Sequence, residues 1–409
     1  MNFFLRYKRV FLIIGFLAIV ALLGFLIYSF FIKPNLPAAK PPAGGGIATS
    51  TGQLPTAGIG GKVTPTGPTG PGVIPSTPTI DKIALGGVTE TAQIGTALTL
   101  KPTLSGNGSD VQYYNQTDGK FYRIDALGNA SAMSDQVFHN VSNITWAPQK
   151  NKAILEYPDG AKILYNFDTK KQTTIPKHWE DFDFSTDSSK IVMKSIAVDP
   201  DNNWLAIAND DGSGAKPIEQ IGANADTVIS SWSPNNQSIA MYTKGVDLNR
   251  QEVFFVGLNG ENFKSTIIEG RGFEPKWSTT GNRLAYSVYS LDNDMKPKLW
   301  VVDAQGDAIG GNRKDLSLET WASKCTFADN KTMYCGVPES LDKGAGLFPE
   351  IAKNTRDNLY QVNIETGEKK LVAVPNGDFN MSNLIVTNNG GSLYFTDSNT
   401  NVLHKIELK

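Results

Sequence analysis

One unit recurs along this chain and limits what it can fold into: an aromatic closing a short strand, a polar turn, then an apolar strand. It reads "ITWAPQKNKAILEY" from Ile144, "SSWSPNNQSIAMY" from Ser230 and "PKWSTTGNRLAYS" from Pro275, with a degraded copy, "FSTDSSKIVMK", from Phe184. Aligned on the aromatic before the turn, the units fall at Trp146, Phe184, Trp232, Trp277 and Phe327, spaced by 38, 48, 45 and 50 residues. Weaker copies flank them around Leu104 and Val386. Seven units in the body give about 47 residues each, the period of propeller blades.

Within each unit Asn, Asp, Gly and Pro occupy the turns, and Val, Ile, Tyr and Phe the short strands. The unit around Trp232 divides into "VISSW", "SIAMYTK", "EVFFVGLNG" and "NFKSTII", four strands in sequence. No amphipathic helical pattern intervenes, which argues against βαβ architecture. A lone four-stranded sheet leaves both faces wet, whereas seven stacked around an axis cover one another. The repeated Trp and Phe are therefore expected to pack between sheets rather than to bind ligands. The expected fold is an all-β, seven-bladed β-propeller; a count of six or eight blades would also fit the spacing.

Trp-Ser-Pro followed by a polar turn and an Ile-Ala-Tyr-like strand resembles the WD40-like repeat of the TolB-type propellers. It is similar also to the propeller half of dipeptidyl-peptidase IV-type proteins. The match is clearest at Trp146, Trp232 and Trp277 and covers residues 85–409, but the family's usual Asp-Gly is missing from these turns. The resemblance implies fold more than function, because such propellers serve scaffolds, sensors, lyases and substrate gates alike.

Ahead of the repeats the composition changes twice. Val10 to Ile32 is an uncharged run of 23 residues, about 34 Å as a helix and long enough to cross a bilayer. Arg6, Lys8 and Arg9 precede it, which favours a cytoplasmic N-terminus. Cleavage as a signal peptide is the rival expectation. Residues 33–80 are rich in Pro, Gly and Thr and read as a flexible linker. The sequence thus predicts a stub at 1–9, a transmembrane anchor at 10–32, a linker at 33–80 and an extracytoplasmic propeller at 81–409. The last blade lacks one strand, and "DKIALGG" from Asp81 is the expected donor.

Charge narrows the partners. Residues 1–80 carry six basic residues and no acidic one, so the rest of the chain has 32 basic against 40 acidic. An acidic body with no basic block is a poor match for a nucleic-acid backbone. Cys325 and Cys335 flank a predicted hairpin and would lie nearly opposite each other, as a disulfide or as two buried thiols.

Chemistry is sparse. His139, His178 and His404 lie in separate units with no carboxylate or cysteine patterned around them. No Gly-x-Ser-x-Gly elbow and no phosphate-binding glycine motif occurs. "DPDNNW" from Asp199 starts like a calcium loop but lacks the later glycine and glutamate; an ordinary turn is the plainer reading. No catalytic, cofactor-binding or metal residue is assigned, and no cofactor is expected. The one irregular connection is the 338–356 loop, in which Leu347, Phe348 and Ile351 form an apolar knot that either packs on the rim or meets a partner.

Two functions follow. The first is a membrane-tethered, non-enzymatic propeller that binds envelope proteins or polymers, held to the bilayer through 10–32. The alternative is an enzyme or small-ligand sensor with its site in the central channel.

Overall fold

In a computed structural model of the chain, residues 79–409 are described except for Asn262, together with Val20, Leu22 and Leu23. By contact the chain divides into Met1–Gly72 and Val73–Lys409, and all the strands among the described residues lie in the second unit. Apart from two short strands, Val88–Thr89 and Ala92–Gln93, these form seven antiparallel sheets in chain order, each with its first strand at one edge. The first strands, Thr99–Leu104, Asn143–Trp146, Trp179–Phe184, Val228–Ser230, Arg271–Trp277, Cys325–Phe327 and Met381–Val386, are the inner strands of blades one to seven. Seven blades replace the open count of six to eight.

The turn after each inner strand shows why the repeat tolerates the loss of Asp-Gly. In six blades one residue takes a left-handed conformation: Gly108, Lys150, Ser188, Asn236, Gly281 and Gly390. Its N–H donates to the carbonyl three residues back, as from Asn236 to Ser233 and from Gly281 to Ser278, both about 3 Å. Only the backbone conformation is required, so Lys and Ser serve where Gly would cost less strain. Neighbouring turns also bond to one another. Asn235 Nδ2 donates to the Gly281 carbonyl (2.9 Å), the Gln149 N–H to Ser188 Oγ (3.1 Å) and the Asn388 N–H to the Gly108 carbonyl (2.9 Å). This side, the back face, is a tightly joined ring of turns.

The aromatics pack between blades as expected. Phe184 and Trp232 are buried, while Trp146, Trp277 and Phe327 are half-buried against apolar clusters shared by adjacent sheets. Trp146 meets Phe121 edge-on and stacks on Phe167, at 5.4 and 5.5 Å. Each such ring withdraws about 150–250 Å² of apolar surface from water.

Closure occurs by a strand from before the first blade, but not the one expected. Ala92–Gln93 pairs antiparallel with Leu403–Glu407, setting Ala92 opposite Lys405 and Gln93 opposite His404, and so supplies the fourth strand of blade seven. The preceding segment runs along blade six instead, where Val88–Thr89 pairs parallel with Val374 and Pro375 as a fifth strand. The Gly86 N–H donates to Val372, and the Ala84 N–H reaches Glu407 (both 2.8 Å), so residues 81–89 bridge the outer edges of the last two blades. Cys325 and Cys335 are directly opposite in register and joined as a disulfide.

The membrane expectations are corrected. Among the described residues no helix is long and apolar enough to cross a membrane. Of the 10–32 run only Val20, Leu22 and Leu23 are described; the rest of it, the 1–9 stub and residues 33–78 lie outside the described residues. The transmembrane helix, the bilayer contact, the tethering and the extracytoplasmic placement that rested on them are withdrawn.

Candidate binding face and central channel

The inner strands of blades one, three, five and seven each carry a bulge, at Leu100/Thr103, Glu180/Asp183, Arg271/Glu274 and Ser382/Ile385. Each bulge contains one left-handed residue: Lys101, Asp181, Gly272 or Asn383. A bulge bends its strand and re-aims the flanking side chains. In blades three and five it turns carboxylates toward the next blade. Asp181 Oδ2 accepts the Ser230 N–H (2.9 Å) and pairs with Lys194 (3.1 Å). Asp183 Oδ2 accepts the Trp232 N–H (2.7 Å), and Glu274 Oε1 accepts the Ser323 N–H (2.7 Å).

In blade six the third strand does the same work. Asp357, fully buried, accepts the Met381 N–H of blade seven (2.6 Å) and pairs with Lys324. Lys324 also donates to Asn380 Oδ1 (2.8 Å), and Asn380 Nδ2 donates to the Ala352 and Lys353 carbonyls.

Burial sets the protonation of these groups. It pushes the Asp183 carboxyl up to about 6, against the lowering pull of the Trp232 and Phe184 N–H groups. Burial likewise raises Asp357 and lowers Lys324, each opposed by attraction to the other. It also lowers Lys276 in the channel wall, opposed by Glu274. The inner-strand carboxylates Asp181, Asp183 and Glu274 are thus engaged in joining blades.

The channel opens at both ends. At the front, where the inner strands begin, a cavity of about 520 Å³ is lined by Glu274, Trp321, Lys324, Lys353, Asn380 and Ser398, among others. At the back, one of about 370 Å³ borders Lys276, Thr326, Phe327 and Leu384. Asp183, Glu274, Lys324 and Asn380 already hold protein partners, so they do not form a convergent unpaired set of the kind a small-molecule site uses.

The front face differs. It carries the loops joining second to third strands, and those of blades four, five and six are tied into one ledge. The Leu291 N–H donates to Asn249 Oδ1 (3.1 Å), linking blades four and five. The Gly344 N–H donates to Asp294 (2.9 Å) and the Gly346 N–H to Met295 (2.7 Å), linking five and six, with Lys343 paired to Asp294 at 2.8 Å. The approach at Gly346 is so close that a Cβ there would lie 2.5 Å from Tyr289 Cβ. Val246, Leu248, Leu291, Leu347, Phe348 and Ile351 stand exposed on this ledge, by 42% to 76%. Val198 extends the row on the corresponding loop of blade three.

Within the 338–356 loop the structure divides the apolar residues differently from the sequence reading. Leu341, Ala345 and Ala352 pack on Trp321, while Leu347, Phe348 and Ile351 stay in solvent. The three histidines are not brought together. His404 alone is buried, between Phe379 (4.5 Å) and Phe395 (5.4 Å), and burial lowers its pKa. "DPDNNW" is an ordinary turn: Pro200–Asn202 forms one 3-10 turn capped by Asp199 on the Asp201 N–H. Among the described residues no three His, Cys, Asp or Glu side chains are grouped to hold a metal ion. The interblade carboxylates were not found from sequence, and of the ledge only Leu347, Phe348 and Ile351 were; the acidic residues just before the aromatics at Phe184 and Trp277 are the signal that could have found the carboxylates.

No family model matches the sequence, and neither does any curated protein. Among solved structures, the Cps50 (Swd1) β-propeller domain of Myceliophteria thermophila superposes with a TM-score of 0.52. It covers 78% of this chain and 100% of its own, at 9% identity. The fold is that of a seven-bladed β-propeller. An oligogalacturonate lyase from Vibrio parahaemolyticus gives 0.48 at 11% identity, over 78% of this chain and 91% of its own. TolB from Acinetobacter baumannii gives 0.41 at 11% identity, over 68% of this chain and 63% of its own. At these identities the likeness is one of fold.

Proposed function

We propose that this protein is a non-enzymatic binding or scaffold module that holds a protein partner on the front face of its propeller, residues 81–409. The observation that carries this reading is the ledge. Exposed large apolar side chains on three adjacent loops cost solvation unless something covers them, and hydrogen bonds between the loops fix their spacing in advance. The channel supports an enzyme less well, because charged groups in its wall are engaged in joining blades. Placement among the TolB-type propellers, the finer assignment, rests on the units at Trp146, Trp232 and Trp277.

The test uses the full chain as bait beside a variant carrying Leu347→Ser, Phe348→Ser and Ile351→Ser. All three side chains are exposed, so the fold should be unaffected, as equal urea midpoints would verify. Proteins retained by the native chain and lost from the variant support the reading. An identical retained set from both would refute it.

A further inference from the structure

The exposed apolar residues of the ledge are interleaved with carboxylates. Asp247 lies between Val246 and Leu248, Asp292 follows Leu291, and Glu350 lies between Phe348 and Ile351. Several charges here are neutralised locally: Asp247 by Arg250, Asp294 by Lys343, Lys296 by Glu319, and Arg356 by Glu339. What is left over has a sign. Among the described residues, the side chains of Asp292, Asp342 and Glu350 have no ion-pair or hydrogen-bond partner, against two cations without a carboxylate: Lys353, and Arg271, which donates to the Asp247 carbonyl (2.8 Å). The wider face agrees. The seven loops joining second to third strands hold ten Asp or Glu against four Lys or Arg, and adding the loops between blades makes fourteen against six.

We propose that the ledge receives a basic, amphipathic segment of a partner protein, whose apolar side chains cover Leu248, Leu291 and Phe348 while its Lys or Arg residues meet Asp292, Asp342 and Glu350. This deepens the reading of the front face as a protein-binding surface and rests on it. Charge decides among occupants. An acidic partner would set like charges opposite the three free carboxylates. A second copy docking its own ledge would do the same, since a two-fold interface pairs a surface with itself. A basic segment gains at both kinds of position, and the field of the whole face draws it in before contact.

The test measures fluorescence anisotropy of labelled synthetic peptides against the full chain. One peptide places Leu at helical spacing among Lys residues; a second has Glu for Lys; a third keeps Lys but has Ser for Leu. The Leu–Lys peptide is expected to bind about tenfold or more tightly than either control, the scale on which a buried apolar anchor matters. Its binding should weaken between ~0.1 M salt, where charges act over about 10 Å, and ~1 M, where they act over about 3 Å.

Leu347→Ser, Phe348→Ser and Ile351→Ser together should abolish the preference. Asp292→Asn, Asp342→Asn and Glu350→Gln should remove most of the salt dependence. Equal binding of the Leu–Glu peptide, lost with the three Ser changes, would overturn the basic partner and leave the binding ledge standing. Leu–Lys binding that none of these substitutions alters would overturn the proposal and count against the front-face reading as well. A dimer of the chain that the Ser changes dissolve would assign the ledge to a second copy and overturn it too.

Discussion

The buried carboxylate between blades three and four makes a sharp test of how the wheel is joined. Asp183 accepts N–H groups from Phe184 and Trp232, and burial raises its pKa to about 6. In the unfolded chain an aspartate titrates near ~3.9. Between those values the native state keeps a proton that the unfolded state has released, so stability falls as pH rises through the window. The difference is about 2 pKa units at about 1.36 kcal/mol each, or about 3 kcal/mol withheld from the native state at pH ~7 relative to pH ~4. Asp183→Asn is close in shape to the protonated acid and does not titrate. The Asn side chain keeps one acceptor oxygen where Asp183 uses two, so the variant should start behind at the acid end. Urea unfolding of both proteins from pH ~4 to ~7 should then show the gap shift by about 3 kcal/mol in the variant's favour. Comparing the two cancels every other titrating group. A difference that stays flat across that range would refute the raised pKa, and with it the claim that burial outweighs the two N–H donors.

Two further outcomes follow from closure and from blade six. A chain starting at Thr91 keeps the strand Ala92–Gln93 and one starting at Thr96 loses it, so the shorter chain should melt lower and self-associate through the bare edge of Leu403–Glu407; equal melting temperatures and equal light scattering would defeat the clasp. Reducing the disulfide, or changing Cys325 and Cys335 to Ser, should cost about 3 kcal/mol, the chain entropy of a 10-residue separation. A urea midpoint unmoved by reductant would contradict that.

Much of the wheel was legible because its signal is local. The aromatic, the turn and the next strand are contiguous at Trp146, Trp232 and Trp277, and so was the hairpin that sets Cys325 against Cys335. The closing strand was not. "DKIALGG" has the apolar content of a strand, whereas Ala92–Gln93 is two residues long and exposed, with no pattern to read. Its assignment depends on which edge lies within reach, a property of the assembled ring. The interblade carboxylates failed for the same reason: Asp183 and Trp232 are 49 residues apart. Leu347, Phe348 and Ile351 were singled out by hydropathy, but hydropathy does not say which side of a loop faces Trp321. Trp321 took Leu341, Ala345 and Ala352 instead, and that choice left the ledge exposed.

The pairing of Ala92 with Lys405 also sets a clock for biosynthesis. The two partners are separated by roughly 310 residues, and at about 5–20 residues per second a ribosome needs about 15–60 s to make the interval. Throughout that time the closing strand has been made and its partner has not. Blades one to six can form as sheets in the order they emerge, since each is local in sequence. The ring cannot shut until Leu403–Glu407 has been made, and until then the exposed edges of the sheets it joins are open to neighbouring chains. Ribosomes that pause within the final blade would lengthen that exposure without altering a single contact of the finished protein.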